Sequence, residues 1–120
     1  MQNTVFHLST CDTCKKILKE TEAEKHGFIL QDIKTNPVTK KQLDELKKKT
    51  GSYEKLFSKR AQLYKSLGLA DKNLTEEDYK NYILQHYTFL KRPVFAYAGE
   101  VFAGSDKKMI ESFKAQLTKK

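Results

Sequence analysis

Hydrophobic and polar positions divide this chain into short strands and amphipathic helices. Thr4-Val5-Phe6-His7-Leu8 alternates β-forming residues and predicts a first strand. From Cys11 to Lys25 the spacing predicts a helix, with Cys14, Ile17, Leu18 and Thr21 on one face and Gly27 ending it. Phe28-Ile29-Leu30-Gln31-Asp32-Ile33 predicts a second strand. A connection that holds a whole helix makes these two strands parallel.

Lys34-Thr35-Asn36-Pro37 is a turn cluster. Thr39 with Gln42 three residues on forms a capping-box pattern for the next helix, which stops at Gly51-Ser52. Its apolar face (Val38, Leu43, Leu46) is thin and predicts a peripheral helix. A further helical stretch is predicted over Tyr53–Leu67, ending at Gly68. Thr75 with Asp78 opens another, carrying Tyr79, Tyr82, Ile83, His86 and Leu90. Tyr82, Tyr87 and Phe89 make an aromatic face that core packing explains. Arg92-Pro93-Val94-Phe95-Ala96-Tyr97 predicts a third strand, and a turn at Ala98-Gly99 joins it to Glu100–Ala103 as an antiparallel hairpin. Ser105 or Asp106 caps a last helix with Met109, Ile110, Phe113 and Leu117 on one face.

The order is strand–helix–strand, then three helical pieces, then strand–strand–helix. Without the middle pieces, this is the minimal thioredoxin-like layout. The expected fold is α/β, with a four-stranded mixed sheet of the glutaredoxin type and a helical insertion between strands two and three. At 120 residues a single domain is expected, with a core over about 1–37 and 91–120 and the insertion over about 38–90.

Composition narrows the class. Charged residues make up 32% of the chain and no apolar run reaches the length of a membrane span. Met1-Gln2-Asn3-Thr4 lacks the features of a secretory signal. A cytoplasmic protein with no membrane association is expected. The formal charge of +8 is spread along several helices and reads as solvated faces, so direct nucleic-acid binding is not expected. The run Lys47-Lys48-Lys49 suits a helix C-terminus. Basic residues are nearly all lysine, and arginine stands at Arg60 and Arg92. Each reads equally as an ordinary ion-pair partner or as a planar fork retained where its geometry matters.

The candidate chemistry is Cys11-Asp12-Thr13-Cys14, which holds both cysteines of the chain. The pair falls where a strand hands over to a helix. Helix N-termini favour thiolate at the first cysteine, and the second can attack a disulfide formed by the first. In a reducing compartment such a pair is more often catalytic or metal-binding than a permanent staple. A structural zinc site wants four ligands, so no metal is expected here. His7 on its strand reads as a packed histidine on sequence grounds alone.

With these residues placed, the chain resembles the arsenate reductase (ArsC) family, which includes the Spx regulators. The resemblance rests on Phe6-His7-Leu8 through Cys11-Asp12-Thr13-Cys14-Lys15-Lys16, on Ser58-Lys59-Arg60 with Tyr64-Lys65-Ser66-Leu67-Gly68-Leu69, on Lys91-Arg92-Pro93-Val94, and on Val101-Phe102-Ala103-Gly104-Ser105-Asp106. It implies Cys11 as the nucleophile toward arsenate or a disulfide, and Cys14 as a second, resolving thiol. It implies that His7 helps keep the Cys11 pKa low. Arg60 and Arg92 would hold the oxyanion, with Thr10, Asp12 and Thr13 of the active-site loop beside them. Pro93 would follow a cis bond and face the cysteine pair. No bound cofactor is implied. Glutathione with glutaredoxin, or thioredoxin, would restore the thiol, and a monomer is expected.

Two departures from the family pattern stand out. Where well-studied arsenate reductases carry a third arginine, Gly99–Lys108 offers Lys107 and Lys108. This counts against efficient arsenate reduction. Those enzymes also lack a cysteine at the position of Cys14, whereas Spx has one and uses the pair as a redox switch. The alternative implied is therefore an Spx-like regulator that binds RNA polymerase, with Gly51-Ser52 at the place of contact.

Overall fold

The computed structural model describes residues 2–118. The chain divides into two compact units, Met1–Asn36 with Arg92–Lys120, and Pro37–Lys91.

Among the described residues of the first unit, β1 (Thr4–His7), β2 (Ile29–Asp32), β3 (Val94–Tyr97) and β4 (Glu100–Ala103) form one sheet in the order β2-β1-β3-β4. β1 and β2 run parallel, as a helical crossover requires, and the other two pairings are antiparallel. Ala98 and Gly99 both take positive φ, 50° and 83°, the twist a tight hairpin needs. Asn3 Oδ1 accepts the Ala98 N–H at 3.1 Å.

The helices α1 (Asp12–Thr21) and α5 (Lys107–Thr118) pack against this sheet and each other. Val5 and Phe95 are opposite one another across the β1–β3 ladder, so they share one sheet face. They form a buried cluster with Ile17, Ala23, Phe28 and Phe113. Leu18, Met109, Ile110 and Leu117 pack against it, as the helical spacing predicts, together with Phe102 of β4. The Phe113 ring stacks on Phe95 at 3.9 Å between centroids and meets Phe28 edge-on at 5.6 Å. Asp106 caps α5, its Oδ1 accepting the Met109 N–H at 2.6 Å.

α1 is shorter than its pattern predicts. It ends at Thr21, and Glu22 turns left-handed with φ 53° while its N–H reaches Leu18 O. The chain reverses there because Ala23 and Phe28 must both enter the core, and the Phe28 N–H then bonds Ala23 O at 3.2 Å.

In the second unit, α2 (Lys40–Thr50) carries the expected capping box on Thr39 and Gln42, and Gly51 ends it with φ 93°. Thin as its apolar face is, Val38, Leu43 and Leu46 are all buried. The single helix expected over Tyr53–Leu67 is absent. A 3₁₀ turn at Glu54–Leu56 and the short α3 (Gln62–Ser66) replace it, with extended chain between. The helix opened by Thr75, α4 (Glu76–Gln85), also stops early, and Leu90 lies beyond it.

One cause explains both corrections. Phe57 and Leu90 form an antiparallel bridge. Around it, Ser58 N–H donates to Phe89 O at 2.7 Å and Lys91 N–H to Leu56 O at 2.8 Å. Both segments give up helix to make this long-range pairing. The aromatic face is packing, as expected: Phe57 stacks on Phe89 at 5.2 Å and meets Tyr79 at 4.9 Å.

Candidate active site

β1 delivers the chain to a tight turn in which the Cys11 N–H bonds Leu8 O at 3.0 Å. Cys11 is the N-cap of α1, with extended φ −93° and ψ 116°. An N-cap residue faces helix N–H groups that have no partner within the helix. The Cys11 sulfur makes no capping hydrogen bond, but the amides of Cys14 and Thr13 favour its ionised form.

Both cysteines are free thiols, Cys11 part-exposed and Cys14 buried. One turn along the helix, Cys14 lies against Cys11, and the two environments drive the sulfurs apart. Burial alone would push the Cys11 thiol up. The amide and thiol of Cys14, the Arg92 guanidinium and the Thr13 amide together outweigh it, so Cys11 sits below the ordinary thiol value. Burial dominates at Cys14. The Leu8 N–H and Arg92 favour its ionised form, but the neighbouring Cys11 sulfur opposes it, and the thiol is pushed up to about 12. The arrangement favours ionisation at Cys11 over Cys14.

Arg92 and Pro93 stand just before β3, and the bond between them is cis. Pro93 is buried, and its carbonyl accepts the Gly104 N–H at 3.0 Å. Antiparallel pairing of β1 with β3, with Phe6 opposite Val94, brings this corner beside the cysteine turn. Thr10, Asp12 and Thr13 are exposed around that turn. His7 is held below its ordinary value, chiefly by burial, and the Asp32 charge partly offsets this. The structure thus brings Cys11, Cys14, Thr13 and Arg92 together. Arg60 belongs to the second unit, exposed in the turn that precedes α3.

Sequence reasoning missed Leu8, Ser9 and Asp32. The Ser9 hydroxyl donates to Asp32 Oδ2 at 2.6 Å. The signal available was the parallel register, which sets Asp32 opposite His7. Leu8 acts through its backbone, which no side-chain pattern reveals. Among the described residues no group of three or more His, Cys, Asp or Glu could hold a metal ion. No helix among them is long and apolar enough to cross a membrane.

A four-stranded mixed sheet in this order, with a free cysteine at the N-cap position of the first helix, defines a thioredoxin-like fold. The ArsC family model matches residues 6–113, and the chain belongs to that family. It is 24% identical over 111 residues to the global transcriptional regulator Spx of Streptococcus pneumoniae, covering 92% of this chain and 84% of that one. An arsenate reductase from Vibrio cholerae superposes with a TM-score of 0.70 at 20% identity, covering 93% of this chain and 97% of that one. An arsenate reductase (ArsC) related protein from Brucella melitensis gives 0.68 at 23% identity, with 94% of each chain covered. At these identities the two structures speak for the fold.

Proposed function

We propose that this protein is a thiol-dependent oxidoreductase of the ArsC type, with Cys11 as nucleophile and Cys14 as resolving thiol. The observation that carries the reading is the split between the two sulfurs. One is part-exposed, faces two helix amides and an arginine, and sits below its ordinary value. The other is buried and pushed up to about 12.

The Cys11 thiolate attacks one sulfur of a disulfide, and the other leaves as thiolate. The mixed disulfide removes the charge from Cys11. Two of the influences holding the Cys14 proton, that charge and the hydrogen bond to it, then vanish. Cys14 loses its proton to solvent and attacks the Cys11 sulfur. The second thiolate departs, and a Cys11–Cys14 disulfide remains. Glutathione with glutaredoxin, or thioredoxin, supplies the two electrons that reopen it.

Arsenate is the oxyanion substrate the family pattern supports. Cys11 would form a bond to arsenic(V) as one oxygen leaves as water. Attack of a second thiol on the Cys11 sulfur would then return the electron pair to arsenic and release arsenite. Arg92, which favours the ionised Cys11 sulfur, is the guanidinium group proposed for the oxyanion. Lys107 and Lys108, in place of a third arginine, favour disulfides as the better substrates.

Purified protein supplied with glutaredoxin or thioredoxin is expected to reduce glutathione mixed disulfides, and arsenate more slowly, with Cys11→Ser abolishing turnover. Failure to reduce either substrate overturns the enzymatic reading. A second reading, a redox-sensing regulator that contacts RNA polymerase, draws support from the similarity to Spx. It predicts capture of polymerase that changes on thiol oxidation. Absence of capture in both redox states removes it.

A further inference from the structure

The turn that carries both cysteines is clamped from the neighbouring strand. Asp32 ends β2 in register with His7. Its Oδ2 accepts the Ser9 hydroxyl at 2.6 Å. Its Oδ1 accepts the Lys34 N–H at 3.1 Å and lies 3.5 Å from the Ser9 amide nitrogen. The Ser9 hydroxyl is the main influence that holds this carboxyl below its ordinary value, so the clamp is a charged one.

Only Leu8 separates the clamp from β1. The Leu8 N–H faces the Cys14 sulfur, and the Leu8 carbonyl accepts the Cys11 N–H at 3.0 Å. On the strand side, the His7 carbonyl is fixed by the Ile33 N–H at 2.9 Å. On the far side, Ser9 is fixed by Asp32. The two peptide groups flanking Leu8 are therefore held at both ends, and each of them touches one of the reacting residues.

Resting on the oxidoreductase reading, we propose that Asp32 is a positioning residue. Acting through the Ser9 hydroxyl, it orients the Leu8 peptide groups that bring Cys14 onto Cys11 in the resolving step. The first attack, by a part-exposed Cys11 already facing the helix amides, depends on it much less.

Glutathione disulfide separates the two steps. Attack by Cys11 breaks the S–S bond of the probe, forms a Cys11–glutathione bond and releases one glutathione. Attack by Cys14 breaks that new bond, forms Cys11–Cys14 and releases the second. The protein loses two electrons and the probe gains them. The two releases are followed by rapid quench and mass spectrometry on the full chain.

Ser9 is exposed, so Ser9→Ala leaves the core untouched. Ser9→Ala and Asp32→Ala are each expected to slow the second release about fivefold, the scale of one charge-assisted hydrogen bond lost at an exposed position. The first release keeps its rate. Ser9→Thr, which retains the hydroxyl, restores the second, and the double variant is no slower than either single one. Second release at the wild-type rate in both variants overturns the proposal. So does equal slowing of both steps, which marks a merely structural role. A wild-type protein that never releases the first glutathione contradicts the oxidoreductase reading itself, and that arm is read before any variant is made.

Discussion

The buried thiol of Cys14 lies one helical turn from Cys11 and favours the ionised form of the Cys11 sulfur. This contact links the two halves of the chemistry. It steadies the attacking thiolate, and it holds the second sulfur where the first will need it.

Cys14→Ser keeps Cys11 at the helix start and removes the resolving thiol. With glutathione disulfide the variant should accumulate as a one-to-one mixed disulfide, while the wild type proceeds to an internal disulfide. Intact-mass analysis distinguishes the two. Wild-type protein that also stops at the mixed disulfide would show that Cys14 does not resolve it.

The guanidinium of Arg92 favours the ionised form of both sulfurs. Arg92→Ala should raise the Cys11 pKa and slow its alkylation at neutral pH several-fold. Arg92→Lys should recover only part of the rate, because an ammonium lacks the planar fork. An alkylation rate unchanged in Arg92→Ala would remove arginine from the account of the thiol.

Stability should carry the signature of the buried sulfur. Between 9.0 and about 12 the unfolded chain has released the Cys14 proton and the folded chain keeps it. The folded state then binds more protons, so stability falls as pH rises through that window, by at most about 1.4 kcal/mol per pH unit. Cys11 works in the opposite sense. Its lowered value contributes stability above the ordinary thiol range, lost as pH falls through the folded value. Urea melts of reduced wild type and Cys14→Ala should diverge across the alkaline window, the wild type losing more. Parallel curves would contradict the burial of that thiol.

Phe113 fixes α5 to the sheet through its stack on Phe95 at 3.9 Å and its edge contact with Phe28 at 5.6 Å. It is fully buried. Phe113→Ala should cost about 3–5 kcal/mol, a large share of the roughly 5–15 kcal/mol that holds a domain of this kind folded. Equilibrium unfolding in urea measures this directly. A cost below about 1 kcal/mol, well short of the range for a lost core aromatic, would mean that the cluster repacks.

The sheet and its capping residues were legible because their signals are local. Alternation in Thr4–His7, the Thr39–Gln42 box and the apolar face ending in Phe113 and Leu117 each act within a few residues. The misread stretches, Tyr53–Leu67 and the end of α4, are governed by a bridge between Phe57 and Leu90, which periodicity does not report. α1 was read too long because Glu22, an ordinary helix former, takes the left-handed conformation so that Ala23 can be buried. At the site, Cys11, Cys14 and Arg92 could be picked out as residue types. The backbone groups of Leu8 and Thr13 that tune the sulfurs carry no sequence signature, and the Asp32–Ser9 clamp needed the strand register.

The rate of Cys11 alkylation by iodoacetamide as a function of pH, in reduced protein, tests the central claim most directly. The midpoint is predicted to lie below that of a free thiol, about 8.5. A midpoint at or above that of a free thiol would contradict an activated sulfur at the start of α1.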